Sequence, residues 1–337
     1  MLRTTVVGSW PPEARFYGSL EHFHRGKFAA PEPLLRTVAQ AAIAQQCACG
    51  LDEYTGGETS ADTFILHFPA GFTGLERTEN HEAWGGRGTY RVIGAVDAPQ
   101  GLGIAAAYAR ERALDPAIEK VTIPGPSELV MRIESETDRL TLRPTMIRLI
   151  RREIDACVAL GARDIQLDVP HIAMGLADGR GGWTPATAAA TIRAVFDGYA
   201  GFRRSVHFCY GDFDAKTWTE NHAFAPLVPL IQALDGVIDR VVLEFSLPEQ
   251  WAERRLLAEL PASMEIAAGI VDVKSPDVES RTALVQKIYA LLEYVPPERL
   301  LICPSCGLGR RTVELAVAKA TVMVEAVQQV NAELAQV

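Results

Sequence analysis

Positive charge is in short supply: 33 Lys and Arg stand against 42 Asp and Glu, a formal net charge of −9 at pH 7. A chain that grips a phosphate backbone needs the opposite balance, so nucleic acid is not an expected partner. No apolar run approaches the ~20 residues that cross a bilayer. The opening Met1-Leu2-Arg3-Thr4-Thr5-Val6-Val7-Gly8 has too short an apolar stretch for a secretory leader. These absences predict a cytoplasmic protein without a membrane segment. Cysteine is scarce as well, six in 337 residues, at positions 47, 49, 157, 209, 303 and 306. In a reducing compartment such a small set suits metal binding or catalysis better than a disulfide framework. Low-complexity stretches and internal repeats are missing, and 48% hydrophobic with 22% charged residues excludes disordered and fibrous classes.

What is present is alternation. Short β-rich runs at Thr4 to Gly8, Gly50 to Thr55, Glu119 to Ile123, Asp164 to Asp168, Ser205 to Tyr210, Val241 to Phe245, Met264 to Ile270 and Leu300 to Cys303 are separated by helical patterns. Among these are Ile104 to Leu114, Thr145 to Leu160 and Thr312 to Leu334. Eight βα units predict a (β/α)8 TIM barrel, one domain over residues 1–337. The run Thr89 to Val96, after Trp84-Gly85-Gly86, predicts a small hairpin insertion after the second βα unit, beside the barrel mouth.

Barrel enzymes carry their chemistry at the carboxyl ends of the strands, and here those ends are polar. They offer Ser9, Glu58, the turn Pro124-Gly125-Pro126-Ser127, Asp168, His207 with Cys209, Glu244, Asp272 with Lys274, and Cys306. Two residues apart on a strand, His207 and Cys209 face the same way. Imidazole and thiolate are zinc donors, so Cys306 is a candidate third ligand and Glu244 a fourth. A half-buried histidine beside a core cysteine explains the His-x-Cys pair equally well. Cys303 with Cys306 leaves two further options, a closed structural Cys3His site or a redox pair.

Taken together, the ordered motifs resemble the catalytic barrel of the cobalamin-independent methionine synthase family. Thr4-Thr5-Val6-Val7-Gly8-Ser9 is similar to the family's opening strand, and Gly50-Leu51-Asp52 with Gly57-Glu58 to its second-strand motif. Ile165-Gln166-Leu167-Asp168 is similar to the segment that carries its amino-acid-binding aspartate. His207-Phe208-Cys209-Tyr210, Glu244-Phe245-Ser246 and Pro304-Ser305-Cys306-Gly307-Leu308 match its zinc-ligand motifs in order. The resemblance implies zinc held by His207, Cys209, Glu244 and Cys306, with Glu244, the hardest donor, the one to yield to an incoming thiol. It implies substrate binding by Ser9, Glu58, Asp168 and Ser246, with Glu58 and Asp168 around the amino group of homocysteine. The activity implied is methyl transfer to the thiol of homocysteine or a similar amino-acid thiol.

Three departures fall on the donor side. The family aspartate is normally followed by glutamate, and here Asp168 precedes Val169. The family's catalytic histidine corresponds to Lys274 in Asp272-Val273-Lys274-Ser275, which leaves Lys274 and Asp272 as the candidate catalytic pair, with a lysine pKa that must fall for proton donation near neutrality. The expected pterin-stacking tryptophan is absent from Val130-Met131-Arg132-Ile133, and Trp183 is a candidate substitute. A core-only member is expected, with a small thiol acceptor and a small methyl or alkyl donor as partners, in a monomer or homodimer. Two other readings remain. One is alkyl transfer from an epoxide or other donor to an anionic thiol such as coenzyme M, its sulfonate met by Arg310, Arg311 or Lys274. The other is a non-catalytic zinc or thiol-binding barrel.

Overall fold

The computed structural model describes residues 1–17, 20, 31–59, 72–78, 88–212 and 215–336; Trp84-Gly85-Gly86 lies outside them. The strands are β1 (Arg3–Thr4), β2 (Thr73–Arg77), β3 (Tyr90–Asp97), β4 (Lys120–Pro124), β5 (Asp164–Asp168), β6 (Arg203–Phe208), β7 (Arg240–Glu244), β8 (Glu265–Val271) and β9 (Leu300–Pro304). Seven of them form a curled parallel sheet in the order β1-β9-β8-β7-β6-β5-β4. Every residue of β5, β7 and β9 is buried, as expected of parallel strands covered on both faces.

The predicted helices form close to their expected limits, and their ends have local causes. Arg143–Ala159 begins two residues early, with Pro144 in its first turn, where the missing N–H costs nothing. Val313–Leu334 starts after Thr312, whose hydroxyl accepts from Leu315 N at 3.2 Å and so satisfies an orphan donor. The hairpin is present as antiparallel β2 and β3. It comes before the helix Ile104–Leu114 and leans on the loop after β4: Tyr90 N donates to Arg132 O at 2.8 Å, and Glu134 N to Tyr90 O at 3.0 Å. That contact sets it beside the mouth.

The barrel closes differently between β1 and β4. The predicted second strand, Gly50 to Thr55, reduces to one parallel bridge between Thr5 and Glu53, and β1 stops at Thr4. Side chains take the place of ladder bonds. Asp52 accepts from Thr4 N and Oγ1, each at 2.7 Å, and Gln46 brackets the backbone of Thr55. Three successive carbonyls are likewise taken: Val6 O by Lys120 Nζ, Val7 O by Gln166 Nε2 at 2.8 Å, and Gly8 O by Thr55 Oγ1 at 2.6 Å. Backbone groups that must be satisfied when buried are thus satisfied without a strand.

Below the mouth the barrel floor is ionic. Arg240, fully buried, reaches Glu53 at 2.5 Å, Asp164 at 2.9 Å and Glu265 at 2.8 Å. Arg3 and Arg203 join the same carboxylates from the rim.

Candidate active site at the strand ends

His207 is in β6 and Cys209 is the first residue beyond its end, so the strand's direction carries both side chains into the mouth. Cys306 follows β9. One ligand atom from each of His207, Cys209 and Cys306 lies within 4.8 Å of the others. The two sulfurs stand 3.8 Å apart, far beyond the ~2.05 Å of a disulfide. His207 Nδ1 contacts Val242 O at 3.2 Å, which favours the Nδ1–H tautomer and leaves the lone pair on Nε2. That Nε2 is buried without a hydrogen-bond partner. The hydrogen bond from Cys209 and the nearby imidazole hold the Cys306 thiol well below its ordinary value, while the same contact and burial push Cys209 up. Cys303 is fully buried and packs with Val7, Val242, Ala267 and Leu301, so it stands outside the group.

Glu244 closes β7 beside this cluster but does not belong to the trio. Its Oε1 meets Lys274 Nζ at 2.5 Å and its Oε2 accepts from Tyr210 N at 2.9 Å. Lys274 was expected to give up a proton; burial works to lower its pKa, but the Glu244 carboxylate outweighs burial and raises it. That direction is opposite to the fall that proton donation near neutrality would need. Asp272 Oδ1 accepts from Lys274 N at 2.9 Å and so shapes the turn. Arg311 is also committed, paired with Asp212 at 2.6 Å.

Glu58 and Asp168 line one cavity, together with Thr55, Tyr108, Glu111, Lys120 and Thr122. Thr122 Oγ1 donates to Glu58 Oε1 at 2.6 Å, and Gln166 Nε2 to Asp168 at 2.8 Å. Burial raises both carboxyls, Asp168 to about 7. Glu58 has φ +55° directly after Gly57 at φ +83°. A glutamate in the left-handed region is uncommon and costs of order 1 kcal/mol or more, so the turn aims this carboxylate at a conformational cost. Ser9 O accepts from Leu308 N at 2.9 Å and Ser9 Oγ from Gly309 N at 3.3 Å, which ties the first loop to the Cys306 loop. A Cβ at Gly307 would come within 2.0 Å of Ser9 Oγ, so a side chain there would turn the Ser9 hydroxyl away. Ser246 Oγ is buried with no partner.

Sequence reading missed Glu111. It lies on the helix Ile104–Leu114 in the charged run Arg110-Glu111-Arg112 and looks solvent-facing, yet burial raises its carboxyl to about 7. The space it fills is left by Gly56, where a Cβ would sit 2.0 Å from its Cδ; the glycine two residues before Glu58 was the only available signal. Trp183, the candidate stacking residue, instead carries Arg143 over its ring at 4.4 Å and packs against Gly175.

Fold and site together define a class, a TIM barrel with a metal-competent His–Cys–Cys cluster at its mouth. Residues 2–329 match the family described as "Cobalamin-independent synthase, Catalytic domain", and the chain belongs to that family. It is 28% identical over 350 residues to the 5-methyltetrahydropteroyltriglutamate–homocysteine methyltransferase of Paraburkholderia phytofirmans, a match covering 99% of this chain and 43% of that protein. It therefore spans less than half the length of that relative. To the methionine synthase of Saccharolobus solfataricus it is 26% identical over 345 residues, covering 99% and 96%. Its fold is similar to that of a B12-independent methionine synthase from Shewanella sp. W3-18-1 solved with selenomethionine, with a TM-score of 0.78 at 19% identity over 100% of both chains. No helix of the described residues is long and apolar enough to cross a membrane.

Proposed function

We propose that this chain is a zinc-dependent methyltransferase that moves a methyl group onto the thiol of homocysteine or a close amino-acid thiol, giving a thioether. The observation that carries the reading is the gathering of His207, Cys209 and Cys306 at the strand ends around an unpartnered imidazole nitrogen. Two thiolates bound to one tetrahedral zinc stand about 3.8 Å apart, the separation found here. These residues fit the ion. Three protein donors match the count at which a catalytic zinc site keeps a position for a ligand. Glu244, held by Lys274 and Tyr210, is then a neighbour able to approach or withdraw. When bound, zinc would supply the positive charge that keeps a substrate thiol deprotonated at neutral pH.

The chain's own residues would do the rest. Glu58 and Asp168 receive the substrate's ammonium, and Ser9 with the backbone after Gly8 takes its carboxylate. Lys274 and Asp272 fix the charge and shape of the loop beside Glu244, and Ser246 offers an unpaired hydroxyl to the substrate. Holding the thiol and the methyl donor in line converts an encounter into a unimolecular step. An anionic thiol such as coenzyme M is less well served, because Arg311 and Lys274 already neutralise Asp212 and Glu244.

Zinc content with a thiol titration, followed by X-ray absorption at the zinc edge, tests the reading. Expected is one zinc per chain that gains a sulfur neighbour on addition of homocysteine, with both lost in Cys306→Ser. Undiminished zinc and methyl transfer in that variant would overturn it. A purely structural ion would show itself by loss of thermal stability on chelation before any loss of thiol binding.

A further inference from the structure

Near the loop that follows Cys209 lies a pair that the proposed mechanism does not use. Glu128 follows the turn after β4 and is 1% exposed. Its Oε1 accepts from both the backbone N of His171, at 3.0 Å, and the ring Nδ1, at 3.1 Å. His171 comes three residues after Asp168, at the end of β5, and is 24% exposed at its side chain. A buried carboxylate on Nδ1 fixes the tautomer and supports the imidazolium, the arrangement by which a histidine is set up to move a proton at its other nitrogen. Among the described residues no hydrogen bond is made to His171 Nε2. Glu128 Oε2 and Ser127 Oγ are buried and make no hydrogen bond among the described residues.

The location connects the pair to the sulfur cluster. The ring of Trp218 meets His171 edge-on at 5.7 Å. Its other side lies against Gly211, where a Cβ would come within 2.9 Å of the indole, and Trp218 N donates to Tyr210 O at 2.8 Å. One aromatic side chain therefore separates the pair from the loop that follows Cys209. The charged group facing the pair is Arg143, near Glu128.

We propose that His171, oriented by Glu128, is the residue of this chain that supplies the proton when the leaving atom of the methyl donor is a nitrogen. This rests on the methyl-transfer reading. The substrate's thiolate sulfur forms the new C–S bond, the methyl C–N bond breaks, and its electron pair stays on the donor nitrogen. That nitrogen takes the proton from His171 Nε2, leaving a neutral imidazole with Nδ1–H still on Glu128, and solvent returns the proton.

The zinc-loaded full chain is assayed with homocysteine and two donors, 5-methyltetrahydropteroyltriglutamate, whose nitrogen needs a proton, and S-methylmethionine, whose sulfide leaves neutral. In His171→Gln the ratio of N-methyl to sulfonium transfer is expected to fall about 100-fold, and in Glu128→Gln the acid limb of the N-methyl pH profile is expected to move. An unchanged ratio overturns the proposal, as does a native chain that accepts only the sulfonium. Transfer from neither donor contradicts the methyl-transfer reading instead. The pair is then judged alone by ¹⁵N NMR, where a His171 titration unaltered by Glu128→Gln refutes it and a shifted one with the proton on Nδ1 upholds it.

Discussion

Gly8→Ala isolates the ammonium half of the site. A Cβ at position 8 would lie 2.0 Å from Glu58 Oε1, 3.1 Å from Cδ and 2.8 Å from Thr122 Cγ2. To recover ordinary contact at 3.4 Å the carboxylate oxygen must retreat by about 1.4 Å (3.4 − 2.0). The backbone cannot absorb this readily, since Glu58 already sits at φ +55°. The side chain must swing away, and the 2.6 Å bond from Thr122 breaks. Losing a charge-assisted contact to the substrate ammonium costs about 1.5–3 kcal/mol, or roughly 10- to 150-fold in affinity. Calorimetric titration with homocysteine and with 2-mercaptoethanol, which has no ammonium, reads the effect. Homocysteine is expected to weaken by that factor while mercaptoethanol binding and zinc content hold. Equal homocysteine affinity in the variant would refute the placing of Glu58 on the ammonium.

The barrel floor gives two further expectations. Arg240→Ala leaves Glu53, Asp164 and Glu265 without their central buried partner and should cost about 3–5 kcal/mol in urea unfolding; near-native stability would show that the floor is solvated. Although burial pushes it up, Glu53 is held down at about 2, from 4.5, chiefly by hydrogen bonding and charge from Arg240. Its folded value is the lower one, so its stabilisation, about 3 kcal/mol, is complete above pH 4.5 and is lost as pH falls toward 2. Acid unfolding followed by circular dichroism should show this drain in the native chain and a reduced one in Arg240→Ala.

The fold was legible wherever hydrophobic runs coincide with ladders. Asp164–Asp168 forms as expected, and the other central strands shift by a residue or two. The opening and second strands were overcalled because the residues that replace their ladder, Gln46, Asp52 and Thr55, Lys120, and Gln166, come from three separate parts of the chain. The thiol and imidazole positions could be read from spacing and order, since strand ends converge in any closed barrel. The state of Lys274 could not, because it depends on Glu244 thirty residues away. Glu111 was hidden for a similar reason: a charged helix turn looks exposed until a glycine on another segment gives it room.

The side-chain-tied seam between β1 and β4 has a consequence for how such a protein changes over time. The residues of the His–Cys–Cys cluster and Glu244 are carried by β6, β7 and β9, each locked to its neighbours by parallel pairing, whereas Glu58 rides on a segment that no ladder holds. Substitutions in the seam can move the head-group contact without disturbing the strands that gather the thiols. On the proposed function, acceptor range is therefore free to drift while the transfer chemistry stays fixed, and the seam is the region in which to exchange one thiol acceptor for another.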